Sequence, residues 1–303
     1  MIKLFTHTDL DGVGCAILAK FAFGSNVDVE YCNYDDIDSK VEKYFNSNLE
    51  YDECHITDIS INEELACKID GGNKYYKLLD HHPTALNLNK FSWCDVQIEN
   101  EKTHIKTSGT EMYYHWLVRI GYLNRNKALD NFAELVRNYD TWRWTTLGEK
   151  GIICKQINDL FHLYGREKFI DWCLAEIYSD EFPKLYESDK LILEMKQKEI
   201  DDYVEEKNNQ LYISALCGRV CGFVFAEKYF SELGNRLCQM HPEIDFVTMI
   251  NMNGTVSYRT VKDDIDLGND VAKVFGGGGH PKAAGSQFSE AVLVKVIKEI
   301  FFA

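Results

Sequence analysis

Residues 2–20 read Ile2-Lys3-Leu4-Phe5-Thr6-His7-Thr8-Asp9-Leu10-Asp11-Gly12-Val13-Gly14-Cys15-Ala16-Ile17-Leu18-Ala19-Lys20. A β-prone run of five residues ends in a polar, acidic turn, and helical spacing takes over from Gly12 to Ala22. The alternation continues outward. Val27–Tyr31 is an expected strand and Ile37–Phe45 a helix; Glu53–Thr57 and Tyr75–Leu79 are strands on either side of a helix over Asn62–Ile69. Strands alternating with helices up to about residue 150 predict an α/β fold, a parallel sheet with helices on both faces. Such sheets carry their sites at the carboxyl ends of the strands.

Further along, residues 107–139 and 153–178 have mainly helical patterns, and the charged stretch from Asp189 to Asn208 reads as a solvated linker helix. Four strand-like segments follow, Leu211–Leu216, Val220–Phe225, Phe246–Asn251 and Thr255–Arg259. A glycine run and a helix near Glu290–Phe301 close the chain. This predicts a catalytic domain over 1–185, a helical linker over 186–209 and a smaller C-terminal α/β domain over 210–303, in keeping with 303 residues. No apolar run reaches the roughly 18 residues of a membrane span, and the N-terminus lacks the apolar stretch of a signal peptide, so the expected location is cytoplasmic. The ten cysteines are scattered without a CxxC pair and read as free, mostly buried thiols. The net charge of −15 is the wrong sign for gripping a long duplex. It favours a small anionic substrate held at one focused site.

Four groups of acidic and histidine residues fall where the expected elements end. His7, Asp9 and Asp11 follow the first strand, Asp58 the third, and Asp80, His81 and His82 the fourth; Asp140 closes an apolar helical segment. A divalent ion such as Mn²⁺ takes carboxylate, imidazole and water ligands. Two such ions roughly 3.5–4 Å apart clamp a phosphoryl group, given a bridging carboxylate and ligands from separate strands. On an extended segment Asp9 and Asp11, two apart, leave on the same side. Singly, each cluster has an ordinary explanation: Asp11 before Gly12 can cap a helix, Asp58 can start a turn, and His81-His82-Pro83 can form a surface turn. Four together in one domain point to a metal centre. Trp142 and Trp144, around Arg143, can stack a base but read as core or rim of the helical part. His55, His104, His115, His162 and His241 have no matching partners and read as surface or satisfied core residues.

The segments HTDLDGVG, ITDIS, LLDHHPTA and NYDTWRW resemble the first four motifs of the DHH phosphoesterase superfamily, in order, and GGGGHPKAAGS resembles the glycine-rich signature of its associated C-terminal domain. By that resemblance His7, Asp9 and Asp58 hold one ion, and Asp11, the bridging Asp58, His81 and Asp140 a second. Asp80 orients the neighbouring imidazoles, and His82 contacts the substrate phosphate. A hydroxide activated by the two metals is the implied nucleophile. Mn²⁺ is the expected ion, with Mg²⁺ and Co²⁺ as alternatives. Gly276, Gly277, Gly278 and Gly279 can form an anion nest beside His280 and Arg259, the latter matching a substrate-binding arginine of the superfamily; alternatively the glycines only permit a tight turn. Cleavage is then expected between the two domains.

Within the superfamily the pattern resembles the bacterial nanoRNases of the B type. The pyrophosphatases differ in their C-terminal motif, RecJ-like exonucleases carry extra strand-gripping domains, and cyclic-dinucleotide enzymes often have membrane-tethered sensory parts. The implied activity is hydrolysis of short RNA, including linear dinucleotides such as pGpG, to 5′-mononucleotides. A RecJ-like single-strand DNA exonuclease and a 3′-phosphoadenosine-5′-phosphate phosphatase are the enzymatic alternatives. A non-catalytic nucleotide-binding protein is the non-enzymatic one, and it normally goes with a damaged ligand set.

Overall fold

The computed structural model describes residues 1–47, 51–72 and 74–301. It divides into two compact units, Met1–Leu193 and Glu194–Ala303. The first contains β1 (Ile2–His7), α1 (Leu10–Phe23), β2 (Val27–Cys32), α2 (Ile37–Phe45), β3 (Glu53–Thr57), α3 (Glu63–Asp70), β4 (Tyr76–Asp80) and β5 (Cys94–Val96). Four helices follow, α4 (Gly109–Arg119), α5 (Lys127–Asp140), α6 (Glu149–Tyr164) and α7 (Arg166–Tyr178). The five strands are parallel, in the order β2-β1-β3-β4-β5. Strand order therefore reverses between β1 and β3, the switch point at which doubly wound sheets open a crevice.

Period-two alternation assigns the two cores. Leu4 joins Val13, Ile17, Tyr113 and Phe132 on one face, while Phe5 joins Ile37, Val41, Ile56, Leu65 and Leu78 on the other. With both faces covered, the strand reads as a continuous apolar run. Helix α1 begins two residues earlier than its spacing suggested, because the Asp9 side chain accepts from Gly12 N at 3.1 Å and caps it. Gly12 is required there: a Cβ would lie 2.3 Å from the His7 carbonyl oxygen. All ten cysteines are free, and eight are buried.

The division between units falls inside α8 (Glu187–Asn209), the helix read as a solvated linker. Its charged face is solvated, but Leu193 belongs to the first core and Ile200 and Val204 to the second. The second unit holds β6 (Tyr212–Leu216), β7 (Arg219–Phe225), α9 (Phe230–Met240), β8 (Phe246–Ile250), β9 (Thr255–Arg259), β10 (Gly278–His280), β11 (Ala283–Gln287) and α10 (Glu290–Phe301). Its sheet runs β10-β11-β9-β8-β7-β6, antiparallel except for β7 with β8. Helix α9 was not expected; its Leu233 and Leu237 pack with Val224, Val247 and Met249. The glycine run does not form the expected nest. Gly276 and Gly277 donate their N–H groups to Lys273 and Ala272, and Gly278 and Gly279 lie in β10. Among the described residues no helix is long and apolar enough to cross a membrane.

Candidate metal centre

His7, Asp58 and Asp80 stand at the carboxyl ends of β1, β3 and β4, around the switch point. Asp58 is buried between two imidazoles, with His81 Nε2 3.2 Å from its Oδ1 and His7 Nδ1 3.9 Å from its Oδ2. His81 Nε2 also faces Asp11 Oδ2 at 3.6 Å and Asp140 Oδ2 at 3.7 Å. His7 Nδ1 lies 2.9 Å from Asp9 Oδ2. The donor atoms of His7, Asp9 and Asp58 lie within 4.8 Å of one another, and so do those of Asp11, His81 and Asp140. The structure thus brings together every metal-ligand candidate named from the sequence.

The carboxylates reach the centre by different routes. Asp9 and Asp11 do not share an extended segment: Asp9 caps α1, and Asp11 lies in its first turn, pointing inward. There Asp11 accepts from Gly109 N at 2.6 Å and Thr110 N at 2.8 Å. The first N–H groups of α4, which have no partner within their own helix, are satisfied by its charge. Asp58 takes a left-handed φ of +58°, a conformation that Asp tolerates better than most residues. Gly109 lets α4 approach it, since a Cβ there would fall 2.4 Å from Asp58 Cβ. Asp80 accepts from His82 Nδ1 at 2.7 Å, from the His81 backbone N–H at 2.7 Å, and from the Ser60 hydroxyl. It therefore orients the ring of His82 alone; His81 is held by its main chain. His82 Nε2 in turn lies 3.2 Å from the exposed Tyr34 hydroxyl. Sequence reading missed Tyr34, Ser60, Gly109 and Thr110.

Burial, with Asp11 and Asp9 nearby, pushes the carboxyls of Asp58 and Asp140 well above the ordinary range. Burial lowers His81, which favours a neutral imidazole. Burial opposes ionisation of Asp80 too, but hydrogen bonds and charge from His82 hold it low. Two atoms test whether the cluster suits a cation. Asp58 Oδ2 and His7 Nδ1 are buried without a hydrogen-bond partner, the latter not aligned with Asp9 despite their closeness. Native structures seldom leave such atoms unsatisfied. Carboxylate oxygens and imidazole nitrogens are also the donors that divalent ions take, so the residues fit a metal centre.

Beside the cluster opens a pocket of about 200 Å³ lined by Asp9, Leu10, Asp11, Val136, Tyr139, Asp140, Trp142 and Asn158. Trp144 stacks on Tyr139, while Trp142 stays half exposed at the rim. His55 is the satisfied core histidine expected, bonded to Tyr113 and Glu53. In the second unit His280 pairs with Ala283, and Ala283 with Arg259, so all three share one face of the sheet. Arg259 donates to the Tyr258 carbonyl and to Ser231 Oγ. It runs beneath α9 at Gly234, where a Cβ would stand 2.6 Å from its side chain.

A doubly wound parallel sheet with an aspartate–histidine cluster at its switch point defines an α/β protein suited to divalent metal ions. The sequence is 35% identical to the oligoribonuclease NrnB of Bacillus subtilis over 99% of this chain and 76% of that protein. The chain belongs to the DHH family, among its nanoRNase-like members. It is also 24% identical to a 3′,5′-cyclic-nucleotide phosphodiesterase of Helicobacter pylori, over 97% of this chain and 95% of that protein. The crystal structure of RecJ with Mn²⁺ from Thermus thermophilus has the same fold, with a TM-score of 0.61 at 15% identity, and this chain spans 51% of its length. No protein-family model matches the sequence.

Proposed function

We propose that this chain is a metal-dependent phosphodiesterase that hydrolyses short oligoribonucleotides, linear dinucleotides such as pGpG among them, to 5′-mononucleotides. The observation that carries the reading is the convergence of His7, Asp9, Asp11, Asp58, His81 and Asp140 on one point, with donors of His7 and Asp58 buried and unpartnered. Two divalent ions, Mn²⁺ first with Mg²⁺ or Co²⁺ as alternatives, would be held by His7, Asp9 and Asp58, and by Asp11, Asp58, His81 and Asp140. Ions of this kind polarise a phosphoryl oxygen and acidify water.

The chain's own groups supply orientation and protons. Asp58, between His7 and His81, would serve as a ligand in both sets. Asp11 is fixed in one orientation by two α4 N–H groups. By accepting from His82 Nδ1, Asp80 turns Nε2 to the open side, where it can donate to a phosphoryl oxygen. Burial alone would lower His82, but its bond to Asp80 and the charges of Asp80, Asp140 and Asp11 raise its pKa and favour the charged, donating form. We assign Arg259 and His280, which share one face of the second unit's sheet, to substrate binding.

The test follows Mn²⁺-dependent release of mononucleotide from a 5′-labelled dinucleotide. Asp80→Ala or His81→Ala should reduce it by at least about 100-fold, the scale for a metal ligand or its support; undiminished release would remove the site. Rates on RNA of graded length, single-stranded DNA, 3′-phosphoadenosine-5′-phosphate and a 3′,5′-cyclic nucleotide separate this reading from the RecJ-like, phosphatase and cyclic-nucleotide alternatives.

A further inference from the structure

We propose that the pocket between α1, α5 and α6 is a nucleobase subsite, with Trp142 as its stacking wall and Asn158 as its polar contact. The inference rests on the phosphodiesterase reading above and names the part of the substrate that sits beside the cluster. The pocket shares Asp9, Asp11 and Asp140 with the metal centre, so its occupant adjoins the phosphate. The rest of the wall is Leu10, Val136, Tyr139, Trp142 and Asn158. That lining suits a flat apolar-faced ring and is a poor one for a second phosphate.

Asn158 is an uncharged polar side chain of the lining. It is only 8% exposed and its side chain lines the pocket. An amide presents a donor and an acceptor side by side, the complement of a base edge that carries the same pair. Trp142 is 50% exposed although its neighbour Trp144 packs inward. It takes a left-handed φ of +61°, a conformation that non-glycine residues adopt at a cost. A volume of about 200 Å³ is below the roughly 300–1,000 Å³ of sites for drug-sized ligands. It holds one ring system, and so one base of a dinucleotide.

The experiment is a cycle between protein and substrate. Wild type, Trp142→Ala, Trp142→Phe and Asn158→Ala are assayed with Mn²⁺ on a 5′-labelled dinucleotide and on two analogues, each abasic at one position. Trp142→Ala should lower kcat/KM on the intact dinucleotide about tenfold, mainly through KM, as loss of one base stack does. Trp142→Phe should restore most of it, and Asn158→Ala should cost roughly three- to tenfold, the range for one hydrogen bond. On one abasic analogue the wild type should already be slow by a comparable factor, with no further loss from Trp142→Ala. Losses that multiply on both analogues would overturn the subsite. A wild type inactive on all three substrates would instead overturn the phosphodiesterase reading. Quenching of tryptophan fluorescence by a mononucleotide in EDTA would then decide the subsite: quenching lost in Trp142→Phe supports it, and no quenching refutes it.

Discussion

Asp58 sits in the left-handed region with its carboxylate buried among other carboxylates, an arrangement that costs folding free energy and that bound cations would relieve. Asp58→Asn keeps the shape and tolerates that φ. It should raise the melting temperature by a few degrees in EDTA, while Mn²⁺ should stabilise the wild type and not the variant. Equal Mn²⁺ shifts in the two proteins would contradict the assignment. His55 gives a pH dependence away from the centre. Burial lowers its pKa below the ordinary 6.5, so the unfolded chain binds its proton more readily than the folded one. Its contribution to stability is therefore full above pH 6.5 and is lost as the pH falls from there through the lower folded value. Melting curves from pH 7.5 to 5 should fall more steeply for wild type than for His55→Gln; parallel curves would refute this. Most candidate ligands were legible because each motif is contiguous and ends a strand or, at Asp140, a helix. Gly109 and Thr110 were not, because they act on Asp11 across 98 and 99 residues. The available signal was Ser108-Gly109-Thr110-Glu111, an S-x-x-E helix start whose Ser108 caps α4.

Elements were legible where periodicity agreed with burial, as in β1, α2, β3 and β9, and misread where one property masked another. In α8 the charged residues hid an apolar stripe at 193, 200 and 204, spaced seven and four apart on one face. Ile200→Ala should cost about 2–4 kcal/mol, as for other buried large-to-small changes, read as a lower urea midpoint. A change below about 0.5 kcal/mol, the scale of surface substitutions, would mean that this helix does not dock on its core. Strand β10 failed for the opposite reason. Glycine disfavours strands, so composition argued for a turn, and pairing with β11 overrode it.

At the scale of the whole molecule, the order β2-β1-β3-β4-β5 brings candidate ligands scattered from residue 7 to residue 140 to a single switch point. The repeated strand–helix alternation made that fold readable in advance. A net charge of −15 opposes the capture of a long polyanion. Rates should therefore fall at least about tenfold from dinucleotides to RNA of some twenty nucleotides, with a shallow salt dependence on dinucleotides because few phosphates are contacted. A rate that rises with length and collapses in salt would mark a strand-gripping nuclease instead. The central claim is that the six candidate ligands surround divalent cations, and anomalous diffraction at the manganese edge from crystals soaked in MnCl₂ tests it most directly. The account predicts two peaks, one among His7, Asp9 and Asp58 and one among Asp11, Asp58, His81 and Asp140; no peak among these side chains would contradict it.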